Sequence, residues 1–196
     1  MKKSLIVILI LVVVAAGIFF WFKGTYNNLV QADEKVKAQW GNVENQYQRR
    51  SDLVPNLVAT VKGYAQHEQT TLENVINARA KATQVTIDPT NLNEQTMAQF
   101  QQVQGELGSA INRLLVSVEA YPDLKANENF RDLQAQLEGT ENRIATERTR
   151  FNDQAQIYNN TVRSFPANIV AGMFGFIQKP YFKSQPGAEV APQVQF

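Results

Sequence analysis

The chain has 196 residues with 19 Lys+Arg against 18 Asp+Glu, a balance with no basic excess of the kind nucleic-acid binding draws on. Zero cysteines remove disulfides, thiolate metal sites and cysteine nucleophiles together, and a single histidine, His67, leaves no His-pair metal site. The length suits one compact domain plus a tail.

Met1-Lys2-Lys3 precedes an uncharged, almost wholly apolar run from Ser4 to Phe22, closed by Lys23. Such a run spans a hydrocarbon core of ~30 Å as a helix, with Trp21 where an interfacial aromatic belongs. A cleavable secretory signal is the competing reading, because Lys2 and Lys3 form a charged n-region. The run exceeds the usual apolar core of such signals, and bulky Ile18 to Phe22 follow the small Ala15-Ala16-Gly17, which favours an uncleaved anchor over residues 1–23. Lys2 and Lys3 favour a cytoplasmic start and a body outside the cytoplasm, with Lys23, Lys35 and Lys37 pulling the other way.

From Tyr26 to about Arg50 the spacing predicts a helix, with Leu29, Val36 and Val43 seven apart and Trp40 and Tyr47 beside them. Arg49-Arg50-Ser51-Asp52 followed by Pro55 reads as a turn, Ser51 or Asp52 capping a second helix that runs to about Val85. Thr86 to Asn93, with Asp88-Pro89 and two asparagines, is the clearest loop. Asn93 can cap a third helix marked by Met97, Phe100, Leu107, Ile111, Leu114 and Val118. Tyr121-Pro122-Asp123 breaks it. A fourth helix from about Asp123 to Ser164 carries Phe130, Leu137, Ile144, Phe151, Tyr158 and Phe165 at strict heptads.

The fold class expected is therefore all-α: an N-terminal transmembrane helix, then an antiparallel up-and-down four-helix bundle with long helices over residues 24–164. That order brings the chain after Ser164 back towards the bilayer. Residues 165–182 are apolar but too short for a second span, and form a segment near the membrane or the bundle end. Either they fold over the open end, or Phe165, Ile169, Met173, Phe174, Phe176, Tyr181 and Phe182 contact membrane or partner. Residues 183–196, with Pro186, Gly187 and Pro192, read as a disordered tail.

Chemistry is sparse. Glu68, Gln104, Thr140, Glu147 and Gln154 fall on the helical seams, where polar groups bind a ligand or set register. A di-iron carboxylate site needs paired Glu-x-x-His motifs; His67 is preceded at that spacing by Tyr64. No nucleophile elbow, phosphate loop or dinucleotide fingerprint occurs. No cofactor and no enzymatic activity are expected.

Arg49-Arg50-Ser51-Asp52-Leu53-Val54-Pro55-Asn56-Leu57-Val58, then Val61-Lys62-Gly63-Tyr64-Ala65 and His67-Glu68, resembles the LemA family. So do Tyr26 to Val30, Glu119 to Ala126, Glu141 to Ala145, Tyr158-Asn159 and Lys179-Pro180-Tyr181-Phe182. The resemblance implies a bacterial membrane protein with one N-terminal span and a helical bundle, and brings no catalytic residues. Relatives look like partners of membrane-associated proteases and quality-control proteins, or factors used in building specialised bacterial membranes. Arg49, Arg50, Asp52 and Asn56 then form either a structural turn, with Asp52 as a cap, or a partner-docking surface at the membrane-distal end. The expected function is a single-pass, oligomeric scaffold or adaptor in the bacterial inner membrane. Its partners are the lipid bilayer, other membrane proteins and copies of itself, with no nucleic acid. An extracytoplasmic small-ligand sensor working through a partner is the alternative.

Overall fold

A computed structural model describes residues 2–64 and 67–183, with side chains from Ser4 onward. The tail expected after Lys183 lies outside the described residues. The described residues are helical and turn structure, without strands. Six helices follow in order: α1 (Lys2–Lys62), α2 (Gln69–Gln84), α3 (Glu94–Ser117), α4 (Pro122–Ala126), α5 (Glu128–Arg163) and α6 (Ala167–Phe174).

The first finding corrects the sequence reading. Residues 49–55 form no turn, because α1 continues through them to Lys62, with Pro55 inside. Proline cannot donate to the carbonyl four residues back, and an interior proline costs ~3 kcal/mol or more when nothing compensates. Here the freed carbonyl is that of Ser51, and Arg79 of α2 supplies the missing donor through Nε at 2.8 Å. Burial explains why the helix persists. Leu29, Val36, Val43, Arg50 and Leu57 recur every seven residues, with Trp40, Tyr47, Val54 and Val61 as a second row, and all nine are buried. Breaking the helix at Ser51 would put one of these rows out of register.

The true turn is 63–68. It returns the chain antiparallel, as Ser51–Arg79 on α1 and α2 shows. The loop before α3 and its cap match expectation: Asn93 accepts from the Thr96 amide at 3.0 Å, and the Thr96 hydroxyl closes the capping box. The expected single fourth helix is divided. α4 ends at Asn127, whose side chain caps α5 by accepting from the Phe130 amide at 3.1 Å.

α5 runs antiparallel to α1, with Gln39 bonded to Glu147 and Arg50 to Glu141. α3 runs antiparallel to α2, with Gln104 donating to the Ala82 carbonyl and Tyr121, just past α3, to Glu68 at its start. The core has two apolar clusters. One, nearer the apolar segment of α1, gathers Trp40, Tyr47, Phe100, Phe151 and Tyr158; the other holds Leu57, Val61, Leu107, Leu114 and Phe130. Arg50, Gln104 and Thr140 are buried at the level between them. Five of the six α5 heptad positions pack inward, but Phe165 is 81% exposed because the helix stops at Arg163.

The Pro55–Arg79 compensation is testable by a double-mutant cycle. Arg79→Ala should destabilise by ~1–3 kcal/mol, the cost of an unsatisfied buried carbonyl. In a Pro55→Ala background, where the restored amide takes the Ser51 carbonyl, most of that loss should vanish in denaturant melts. Additive losses would show that Arg79 does not compensate for the proline.

Candidate membrane-proximal contact surface

The apolar segment of α1 has the length and hydropathy of a membrane span: one helix among those described passes this test, and none of its apolar window is buried. Where that segment ends, α6 meets it. α5 closes at Ser164, and α6 ends on Gly175, whose φ of 73° is the left-handed region that only glycine enters freely. α6 turns Val170 and Ala171 into the core. Phe174 packs on Phe22 and Tyr26, with ring centroids 5.8 and 4.7 Å apart, and Phe176 packs on Tyr26 at 5.9 Å. The other face of α6 is bare: Ile169, Met173 and Phe174 are exposed, with Phe165 before them and Ile177 after. Large apolar side chains clustered on a surface usually mark a contact.

Past Gly175 the chain becomes an extended strap that climbs back along α5. Asn159 brackets Lys179, donating to its carbonyl at 2.9 Å and accepting from its amide at 2.8 Å. Asn152, two helical turns away, does the same to Phe182 at 3.0 and 2.8 Å. Lys179 is buried and ion-paired to Asp33 of α1 at 2.9 Å, and Asp33 also meets Lys37 at 2.7 Å. Burial works to raise the Asp33 pKa, but hydrogen bonds from Lys37 and Lys179 outweigh it and hold the carboxyl below its ordinary value. Nearby Tyr158, under the Lys179 ammonium, is pushed up to about 12, mainly by burial.

Two of the residues expected at a contact surface are elsewhere. Phe182 is 6% exposed and stacks on Trp40 at 5.9 Å with Phe151 edge-on, so it belongs to the core rather than to a lipid or partner surface. The strap carries it there, away from the α6 end. Tyr181 remains half-exposed, its hydroxyl bonded to Asn159. Phe176 is partly buried.

Arg50 is likewise withdrawn from the docking set. It is 3% exposed, its Nη1 donates to Glu141 at 2.8 Å, and its Nη2 donates to the Gln104 carbonyl and side-chain oxygen, both at 2.8 Å. Its guanidinium also lies over the Tyr47 ring. One side chain of α1 thus ties α3 to α5. Arg49, Asp52 and Asn56 are exposed on one face of α1, and Asp52 accepts from Gln48 instead of capping a helix. They sit within the helix, short of the turn at 63–68.

The partners Asp33, Asn152 and Lys179 escaped sequence reasoning, because a surface-type residue becomes buried only through a strap no periodicity reveals. The buried Arg50 did leave a signal: it occupies a heptad step between Val43 and Leu57. Its removal should strand Glu141 and the Gln104 acceptors and cost ~3–5 kcal/mol. Arg49→Ala should stay within ~0.5 kcal/mol in the same thermal or denaturant melts. Equal small losses for both would refute the buried role.

Residues 39–196 match the model of the LemA family. The chain is similar to magnetosome proteins MamQ 1 and MamQ 2 of Paramagnetospirillum magneticum, each 28% identical over 189 residues, covering 86% of this chain and 70% of theirs. It is also 23% identical over 160 residues to protein LemA of Metamycoplasma hominis, covering 81% of this chain and 69% of that one. With an all-helical body behind a long apolar N-terminal helix and a family match over most of its length, the chain belongs to the LemA family.

Proposed function

We propose that this protein is a non-enzymatic, single-pass scaffold or adaptor of the bacterial inner membrane, anchored by residues 1–23. The observation that carries the reading is the bare apolar face of α6 beside the end of the apolar α1 segment. Two apolar elements at one end of the body favour holding it against a lipid surface, the second lying in the interface rather than crossing it. In this reading α1 beyond residue 24, α2, α3 and α5 form an antiparallel up-and-down four-helix bundle over residues 24–164. The antiparallel pairings of α1 with α5 and of α2 with α3 support it. The bundle lies outside the cytoplasm, self-associates, and offers the Arg49, Asp52 and Asn56 face to membrane proteins such as proteases or quality-control factors. The similarity to magnetosome proteins fits a membrane-associated role.

Because the chain has no cysteine, a single reporter can be placed at Met173→Cys. In vesicles holding the full chain, an environment-sensitive dye there should be quenched by lipids spin-labelled near the headgroup. The same dye at Thr146→Cys, exposed midway along α5, should not. Equal lack of quenching at both sites would detach α6 from the bilayer. For the adaptor role, cross-linking in native membranes should yield homo-oligomers or complexes with membrane proteins. Recovery of nothing but monomer at native expression would count decisively against it.

A further inference from the structure

Beside the strap lies a groove that neither the anchor nor the α6 patch explains. It runs between α3 and α5, about 1110 Å³ in volume, and the two helices are bridged there by side chains instead of packing backbone to backbone. Gln101, Gly105, Gly108 and Asn112 line one wall, Glu141 and Asn142 the other, and Arg50 is among the lining groups. A Cβ at Gly105 would meet nothing within 4 Å, and one at Gly108 only Arg50 Nη1 at 3.4 Å. Glycine inside a helix costs ~1 kcal/mol against alanine, and packing within the described residues does not account for either one. Close approach of another backbone would.

The strap delivers such a backbone to the mouth of this groove. The Lys183 amide donates to Gln101 of α3 at 3.2 Å, and its carbonyl accepts from Arg148 of α5 at 2.8 Å, so one peptide residue touches both walls. The strap's direction is also set. Lys179 lies at Asn159, Phe182 at Asn152 and Lys183 at Arg148, so further residues climb towards Glu141 and Leu137, the far end of the groove. An extended chain rises ~3.3 Å per residue against ~1.5 Å in a helix, so about three strap residues match seven of α5. Continuation puts Pro186 near Glu141 and Ala188 near Glu138. Proline and glycine at 186 and 187 oppose helix and suit extended chain.

The geometry points to this groove as a cradle for extended peptide, occupied in cis by the segment that begins at Ser184. The side-chain amides and hydroxyls of Gln101, Gln102, Ser109, Asn112 and Asn142 would bond the peptide backbone, as Asn152 and Asn159 do lower down.

Spin labels on the full chain, at Ala188→Cys and at exposed Arg143→Cys off the groove, test this by electron-electron distance measurement. A narrow distance distribution, unchanged on dilution with unlabelled protein, is expected. A broad distribution would overturn the proposal. A narrow one that fades on dilution would also overturn it, since the occupant would then come from a second copy. Gly105→Leu should fill the groove and broaden the distribution, with melting behaviour confirming the fold. Should that variant fail to fold, Asn142→Trp at an exposed lining position serves instead. A distribution left narrow by the filling substitution would place the segment elsewhere and refute the cradle.

Discussion

Everything else in the structure is registered against one unbroken helix. At 61 residues and ~1.5 Å per residue, α1 is ~90 Å long, and the apolar run near its start is continuous with the stripe that the other helices pack on. Two of its side chains do most of the joining. Trp40 packs edge-on against Phe100 of α3 and Phe151 of α5 and stacks on Phe182 of the strap. Arg50, one level further along, donates to both Gln104 and Glu141. A break in α1 between these residues would uncouple the two apolar clusters that they separate and join.

The cost of that continuity is Pro55, and its remedy is tertiary. The Ser51 carbonyl that the proline leaves free is bonded by Arg79, which only the return of α2 brings within reach. Buried polar groups are retained here by being fully engaged, as their desolvation requires. The same holds for Lys179, whose ammonium meets Asp33 while its backbone is held by Asn159. These contacts are not a catalytic constellation: each donor or acceptor is turned towards another element of the fold. That the polar seam residues Gln104 and Thr140 join helices fits a body built for rigidity and surface presentation.

The strap links the two ends of the molecule's logic. It starts at α6, beside the apolar segment of α1, and ends with Phe182 against Trp40 at the level of the core. A shift of α6 would therefore pull on a peptide clamped at two asparagines and wedged by an aromatic ring. Membrane contact and the packing of the body share one covalent connection.

Local pattern alone determined the apolar leader, the loop around Pro89 with its Asn93 cap, and the inward faces of α3 and α5. These depend on periodicity and capping chemistry, which are properties of neighbours in sequence. Pattern also carried the seven-residue rows of α1 straight through Pro55, but residue-type punctuation at Arg49 to Pro55 concealed it. Only the tertiary structure decided that Arg50 and Phe182 are interior and that Phe165 is not. It alone decided that Asp33 and Lys179 meet, because a buried charge or a core aromatic is defined by partners distant in sequence. An arginine reads as surface until an acceptor from another helix is within 3 Å, and a proline reads as a stop until a guanidinium takes the carbonyl it frees.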